Sequence, residues 1–193
     1  MSQKYSNREK SLGLSPADVP IESLPVVELS HERIQKALRL AEQRNDSYKA
    51  IDGGVVFGDD RDSLTNHQIG LLGEIAVASL YGIPIDDGIY SNGDDGTDTT
   101  LLGKGIDVKA TATTKVSRPD LLVCADKGLE ADLYIRAHVI DWGSARARVR
   151  IIGCASADCV KNRRPRRFPG TTRNYVVPPE EMNFLPLVRP TGN

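Results

Sequence analysis

Between Gly96 and Lys109 the chain reads GTDTTLLGKGIDVK, and this run constrains the fold more than any other. β-branched and aliphatic residues flank Gly103 and Gly105, which predicts two strands, 97–102 and 106–114, joined by a tight turn. Side chains two apart in a strand share a face, so Asp107 and Lys109 stand together. Folding the hairpin brings Asp98 back beside Asp107. Two carboxylates and an amine on adjacent strands are the raw material of a metal site.

A helix is expected just upstream, over 66–81, with Thr65 and Gln68 in capping-box spacing at its start. Ile69, Leu72, Ile75, Ala76, Ala78 and Leu80 make it apolar on most sides, while Gly70 and Gly73 thin one face for a sheet to approach. Glu74 carries the only formal charge between His67 and Pro84. A carboxylate buried without a partner costs several kcal/mol or neutralises, so Glu74 is expected to meet a metal, a lysine or a hydrogen-bond set. The plainer alternative is an ion pair with Lys109 or an arginine. His67 and Gln68 read either as ordinary first-turn residues or as phosphate contacts at the helix N-terminus, the former being favoured.

A helix bearing Glu74, then Asp98, then Asp107-x-Lys109, resembles the metal-binding core of the PD-(D/E)XK nuclease superfamily over residues 64–155. Thr97 stands where the family name has Pro, and Asp107 fills the D/E position. The resemblance implies an α/β fold, a mixed β-sheet flanked by helices with a restriction-endonuclease-like α-β-β-β-α-β core. It implies Mg²⁺, with Mn²⁺ as substitute, held by Glu74, Asp98, Asp107 and the main-chain carbonyl of Val108. Lys109 would orient the attacking water or stabilise developing charge. The implied activity is hydrolysis of DNA phosphodiester bonds by an endonuclease or exonuclease, as in restriction, recombination or repair, and a viral or mobile-element source is in keeping with it. A catalytically inactive nucleic-acid-binding protein on the same core is the alternative, and a structural cation site with no nucleic-acid role is a third.

The formal net charge of -1 conceals a segregation. Asp86, Asp87, Asp94, Asp95 and Asp98 fall in a stretch without a base, and Lys161, Arg163, Arg164, Arg166, Arg167 and Arg173 in one without an acid. An acidic cluster repels DNA until cations occupy it, so a basic element is needed nearby. The loop 161–173, with Phe168 among its arginines, is the dense one, and phosphate contact is expected from it. A solubility or targeting role would produce a similar string.

The remaining chain reads as one domain. Residues 1–27 contain Gly13, Pro16, Pro20 and Pro25 and little periodicity, which suggests an arm or strap ahead of a single domain over 28–193. Ser30 can cap an amphipathic helix over 31–44, whose Arg33, Lys36, Arg39 and Arg44 read more readily as a solvated face than as a DNA contact. A first strand or its approach is expected over 83–90, a half-buried strand over 131–141, and another over 147–154. The latter two form a hairpin turning at Trp142-Gly143-Ser144. A short helix over 155–161 and a tail over 174–193, with Pro179 opening a brief helix that lays Met182, Phe184 and Leu185 on the body, complete the chain.

Several chemistries are disfavoured. Cys124, Cys154 and Cys159 have no CxxC spacing and read as reduced thiols, and His31, His67 and His138 lack zinc spacing. No G-x-S-x-G occurs. No apolar run is long enough to span a membrane and no signal-peptide core is visible, so a cytoplasmic protein is expected. A homodimer is left open, with no heptad or apolar stripe announcing one.

Overall fold

Ser30 begins the first helix as its residue type predicts: its hydroxyl accepts from Arg33 N at 3.4 Å and its carbonyl from Ile34 N at 3.0 Å. The computed structural model describes residues 13–50, 63–85, 87–88 and 96–185; the expected loop at 51–62, Asp86, the turn residues 89–95 with Asp94 and Asp95, and the tail from 186 lie outside the described residues. Helix α1, His31–Ala50, runs past residue 44 because no Gly or Pro interrupts it before Gly53. Ile34, Ala37, Leu40 and Ala41 recur at helical spacing and are buried. On its polar side Lys36 pairs with Asp87 at 2.6 Å and Arg44 with Glu74 at 3.2 Å, so two of the bases Arg33, Lys36, Arg39 and Arg44 are engaged within the protein.

Helix α2, Ser63–Tyr81, starts before the expected cap. Thr65 therefore lies inside the helix, and the capping-box reading of Thr65 and Gln68 does not hold. Gly73 does what was expected of it, since a Cβ there would come within 2.6 Å of Ala110 Cβ and 3.3 Å of Ala137 Cβ. Gly70 faces only the Glu74 side chain, with Oε1 at 4.0 Å, and plays no such part.

The main sheet holds five strands: β1 (Val26–Leu29), β2 (Thr99–Leu101), β3 (Lys104–Thr111), β5 (Leu133–Trp142) and β6 (Ala147–Ser156), in the order β1-β6-β5-β3-β2. β3 and β5 run parallel and the other pairs antiparallel, so the sheet is mixed. A mixed sheet flanked by helices is what the sequence led us to expect. The crossover between β3 and β5 nevertheless contains no helix. It holds β4 (Leu121–Cys124), which pairs with β8 (Arg173–Val177) and through it with β7 (Arg166–Arg167) in a second sheet, β4-β8-β7. The short helix α3, Ala157–Lys161, follows β6, capped by Ser156, whose hydroxyl accepts from Cys159 N at 3.2 Å. Residues 83–85 and 87–88 form no strand, contrary to expectation.

The predicted half-buried character of β5 is wrong. Tyr134 to Val139 are all buried, because α2 covers one face of the sheet while β4, β8 and the 13–25 strap cover the other. Two aliphatic clusters result. The larger joins α1, α2 and the sheet; the smaller gathers Leu24, Leu121, Val123, Tyr134, Ile152, Val177 and Met182. Each fully buried Ile or Leu contributes roughly 1.5–3 kcal/mol, so both layers add substantially to stability. Met182 and Leu185 are buried as expected, although Pro179 opens a 3-10 turn, Pro179–Glu181, in place of an α-helix.

Candidate functional site

β2 is short, and that decides where the site lies. Its register with β3 ends at Thr99 opposite Ile106. Just before it, Asp98 N donates to Ile106 O at 2.7 Å. Beyond that point the outer edge of β3 has no strand partner among the described residues, and Val108 N donates there to Asp98 Oδ2 at 2.6 Å. The N–H and C=O of one extended residue project to the same side, so the Val108 carbonyl also points out of this edge. The turn that permits the hairpin is two residues long, Leu102 and Gly103, with φ of 53° and 75°. Two positive φ values in succession match the strand twist.

Asp107 and Lys109 share a face, as their spacing requires, and Lys109 Nζ lies 2.6 Å from Asp107 Oδ2. Their register partners on β5 are Tyr134 and Arg136, which places them on the face opposite α2. Glu74 comes from α2 on the other side. Glu74 and Asp107 are both near enough to Asp98 to act on its charge. Burial raises the Asp98 carboxyl well above its usual range, and the negative charges of Glu74 and Asp107 push it further; the Val108 N–H and Lys109 act in the opposite sense. Glu74, Asp107 and Lys109 thus all act on Asp98.

Each carboxylate already has a partner. Arg44 Nη1 holds Glu74 at 3.2 Å and 3.5 Å, so an arginine pairs with it, and both side chains are about 86–87 % covered. Lys109 holds Asp107, and the Val108 amide holds Asp98. Among the described residues no three His, Cys, Asp or Glu side chains close on one point as a ready cation cage. The chemistry of the donors still fits Mg²⁺ or Mn²⁺: they are hard oxygens, and a divalent cation would relieve the repulsion that raises Asp98. Asp98, Asp107 and Glu74, with the Val108 carbonyl, are the groups that would hold it.

A cleft of about 380 Å³ opens beside Lys109, bounded by Asn66 and Gly70 of α2, Val108 of β3, and Lys127, Thr172 and Asn174 of the second sheet and its loops. His67 lies near it in the second turn of α2, not the first. Burial, Arg44 and Lys127 hold its imidazole below the ordinary value. Lys127 and Arg136 were not singled out from the sequence. Lys127 reads there as part of a Lys-Gly turn and Arg136 as an outward residue of a half-buried strand, so only the packing of the second sheet reveals them.

The basic loop divides in two. Arg163 bonds Glu181 through both carboxylate oxygens and Val176 O at 3.2 Å, and Arg173 pairs with Asp126 at 2.5 Å. The sequence shows no acid between 161 and 173, but the fold supplies two from elsewhere. Arg163 and Arg173 are therefore each paired with an acid from outside the loop. Arg164, Arg166 and Arg167 are exposed, and Arg166 lies over the Phe168 ring at 5.3 Å from its centroid.

Cys124, Cys154 and Cys159 are free thiols, and none of the described helices is long and apolar enough to cross a membrane. No family model, curated protein or solved structure matches the chain.

Proposed function

We propose that the protein is a Mg²⁺-dependent deoxyribonuclease, hydrolysing phosphodiester bonds at the free edge of β3 with a PD-(D/E)XK-type residue set. The observation that carries the reading is the Asp98 carboxylate bonded to Val108 N, with Asp107 and Glu74 acting on it and Lys109 paired to Asp107. A bound divalent cation would supply Lewis acidity toward the phosphate and lower the pKa of water.

The chain's own residues account for the rest. Lys109, about one-third exposed, reaches the cleft while its ammonium is fixed by Asp107, so it can orient a water or offset negative charge on a pentavalent phosphate. Asp98 and Val108 keep the β3 edge rigid, which fixes the carboxylates relative to the backbone carbonyl. Lys127 at the cleft and exposed Arg164, Arg166 and Arg167 supply positive charge that a polyanion needs to approach the acids.

Purified protein incubated with plasmid, linear and branched DNA, with and without Mg²⁺ or Mn²⁺, tests this. Metal-dependent cutting that Asp107→Ala abolishes supports it. DNA that is shifted but never cut favours the second reading, a binding protein on the same core, to which the exposed arginines lend equal support. Neither shift nor cutting removes both.

A further inference from the structure

A second and larger cavity, about 660 Å³, adjoins the Lys109 cleft and shares Ile69, Thr111, Leu122, Arg136 and Pro169 with it. It is framed by the loop after β3, by β4 and by the tip of the basic hairpin. Its lining combines two aromatic rings, Trp142 and Phe168, with Arg136, Lys115, Arg118 and the single acid Asp120. Nothing in the nuclease reading uses it.

Arg136 is the unusual member. It is 5 % exposed, yet its one hydrogen bond is from Nη1 to the Lys109 carbonyl at 3.0 Å, and its Nε has no hydrogen-bond partner among the described residues. Asp120 acts on it only through charge, and burial wins, pushing the guanidinium down to about 10. A buried guanidinium short of acceptors costs several kcal/mol and is satisfied by an anion. The same cavity offers a ring with a cation already over it, Phe168, and an indole, Trp142, as surfaces for a flat heterocycle.

Resting on the nuclease reading, we infer that this cavity receives an unpaired nucleotide next to the bond to be cut, its phosphate on Arg136 and its base against Phe168 and Trp142. A base inside a duplex cannot reach such a pocket without leaving its stack, which costs a few kcal/mol. The preferred substrate is thus DNA with a single-stranded segment, frayed end or branch at the cleavage point. The cavity's volume admits a nucleotide, and basic side chains outnumber acidic ones in its lining.

Trp142 is the only tryptophan in the chain, so no other indole contributes to the emission read at this cavity. Full-length Asp107→Ala protein, in Mg²⁺ and on a timescale over which this variant cuts little, is titrated with a short single-stranded oligothymidylate and with a blunt duplex of equal length. The expected result is a saturable change in Trp142 emission with the single strand, little with the duplex, and about tenfold weaker affinity in a Phe168→Ala background, in line with the loss of one base–aromatic stack. Phe168 is 43 % exposed, so its removal leaves the core intact. Single strand binding without an emission change, equal changes with duplex, or no effect of Phe168→Ala would each overturn the inference. Cleavage of wholly paired DNA by the wild type, with Trp142 silent, would overturn it while leaving the nuclease reading standing. An emission change in a protein that never cuts would do the reverse.

Discussion

Val108 gives its backbone N–H to the Asp98 carboxylate at 2.6 Å, on the edge of β3 that β2 is too short to cover. That bond locks an acid against the strand carrying Asp107 and Lys109. It also makes the acid a structural part of the sheet, so charge and backbone geometry are inseparable there.

Asp107→Ala and Lys109→Ala should each lower metal-dependent DNA cleavage by about 10²–10³-fold, the usual loss when a charge-stabilising group is removed. Lys109 is partly exposed, and removing the buried Asp107 carboxylate takes away a charge that repels Asp98, so far-UV circular dichroism should be unchanged. Cutting lost only in proportion to folded protein would argue against a chemical role for either residue.

The arginines of the basic hairpin should separate by role. Replacing Arg164, Arg166 and Arg167 by Ser should weaken DNA binding and reduce its dependence on log salt by roughly 0.9 for each duplex phosphate that is no longer neutralised. Arg163→Ser, which breaks the pair with Glu181, should instead cost stability, up to about 1 kcal/mol for a partly exposed ion pair. Filter binding across a salt series, beside urea unfolding, distinguishes the two; an unchanged salt slope in the triple variant would exclude this face as the DNA-binding one.

Gly73→Ala should destabilise the protein by about 1–3 kcal/mol, because its Cβ would fall 2.6 Å from Ala110 Cβ and the helix would have to lift from β3. Gly70→Ala, with only the Glu74 side chain nearby, should not, and helix propensity would favour it. Denaturant midpoints of the two variants test the contrast directly.

Stability should fall as pH drops through the histidine range. Burial lowers His138, with Arg136 and Arg150 adding to the effect against its bonds to Thr113 O and Ser117 O, and burial with Arg44 and Lys127 lowers His67, both from 6.5. A depressed histidine means the unfolded chain takes up protons first. Its contribution is intact above pH 6.5 and is lost as pH falls from there through the folded-state values. The double variant His67→Gln, His138→Gln should show a flatter melting temperature between pH 7 and about pH 5. A slope equal to that of the wild type would place the effect elsewhere.

Much of this architecture was legible in the linear pattern, for reasons local to each segment. Ser30 capped α1, a glycine turn closed a hairpin, one residue earlier than the Gly103 and Gly105 expected, and a period of two put Asp107 and Lys109 on one face, because each depends on residues close in sequence. What failed was long-range. The half-buried reading of β5 failed since a second sheet, β4-β8-β7, covers a face that periodicity alone assigned to solvent. Thr65 was misread as a cap because sequence cannot say which of several polar residues ends the helix.

The residues alone determined that three acids and a lysine would be carried on a helix and a hairpin, since spacing and turn chemistry dictate that much. Only the tertiary structure decided who holds them. Arg44 reaches Glu74 from another helix, Glu181 and Asp126 pair with two arginines of the basic loop, and Arg136 is buried beneath a sheet formed from distant segments. Such pairings are set by Coulomb energy and desolvation between groups far apart along the chain, and no local pattern records them.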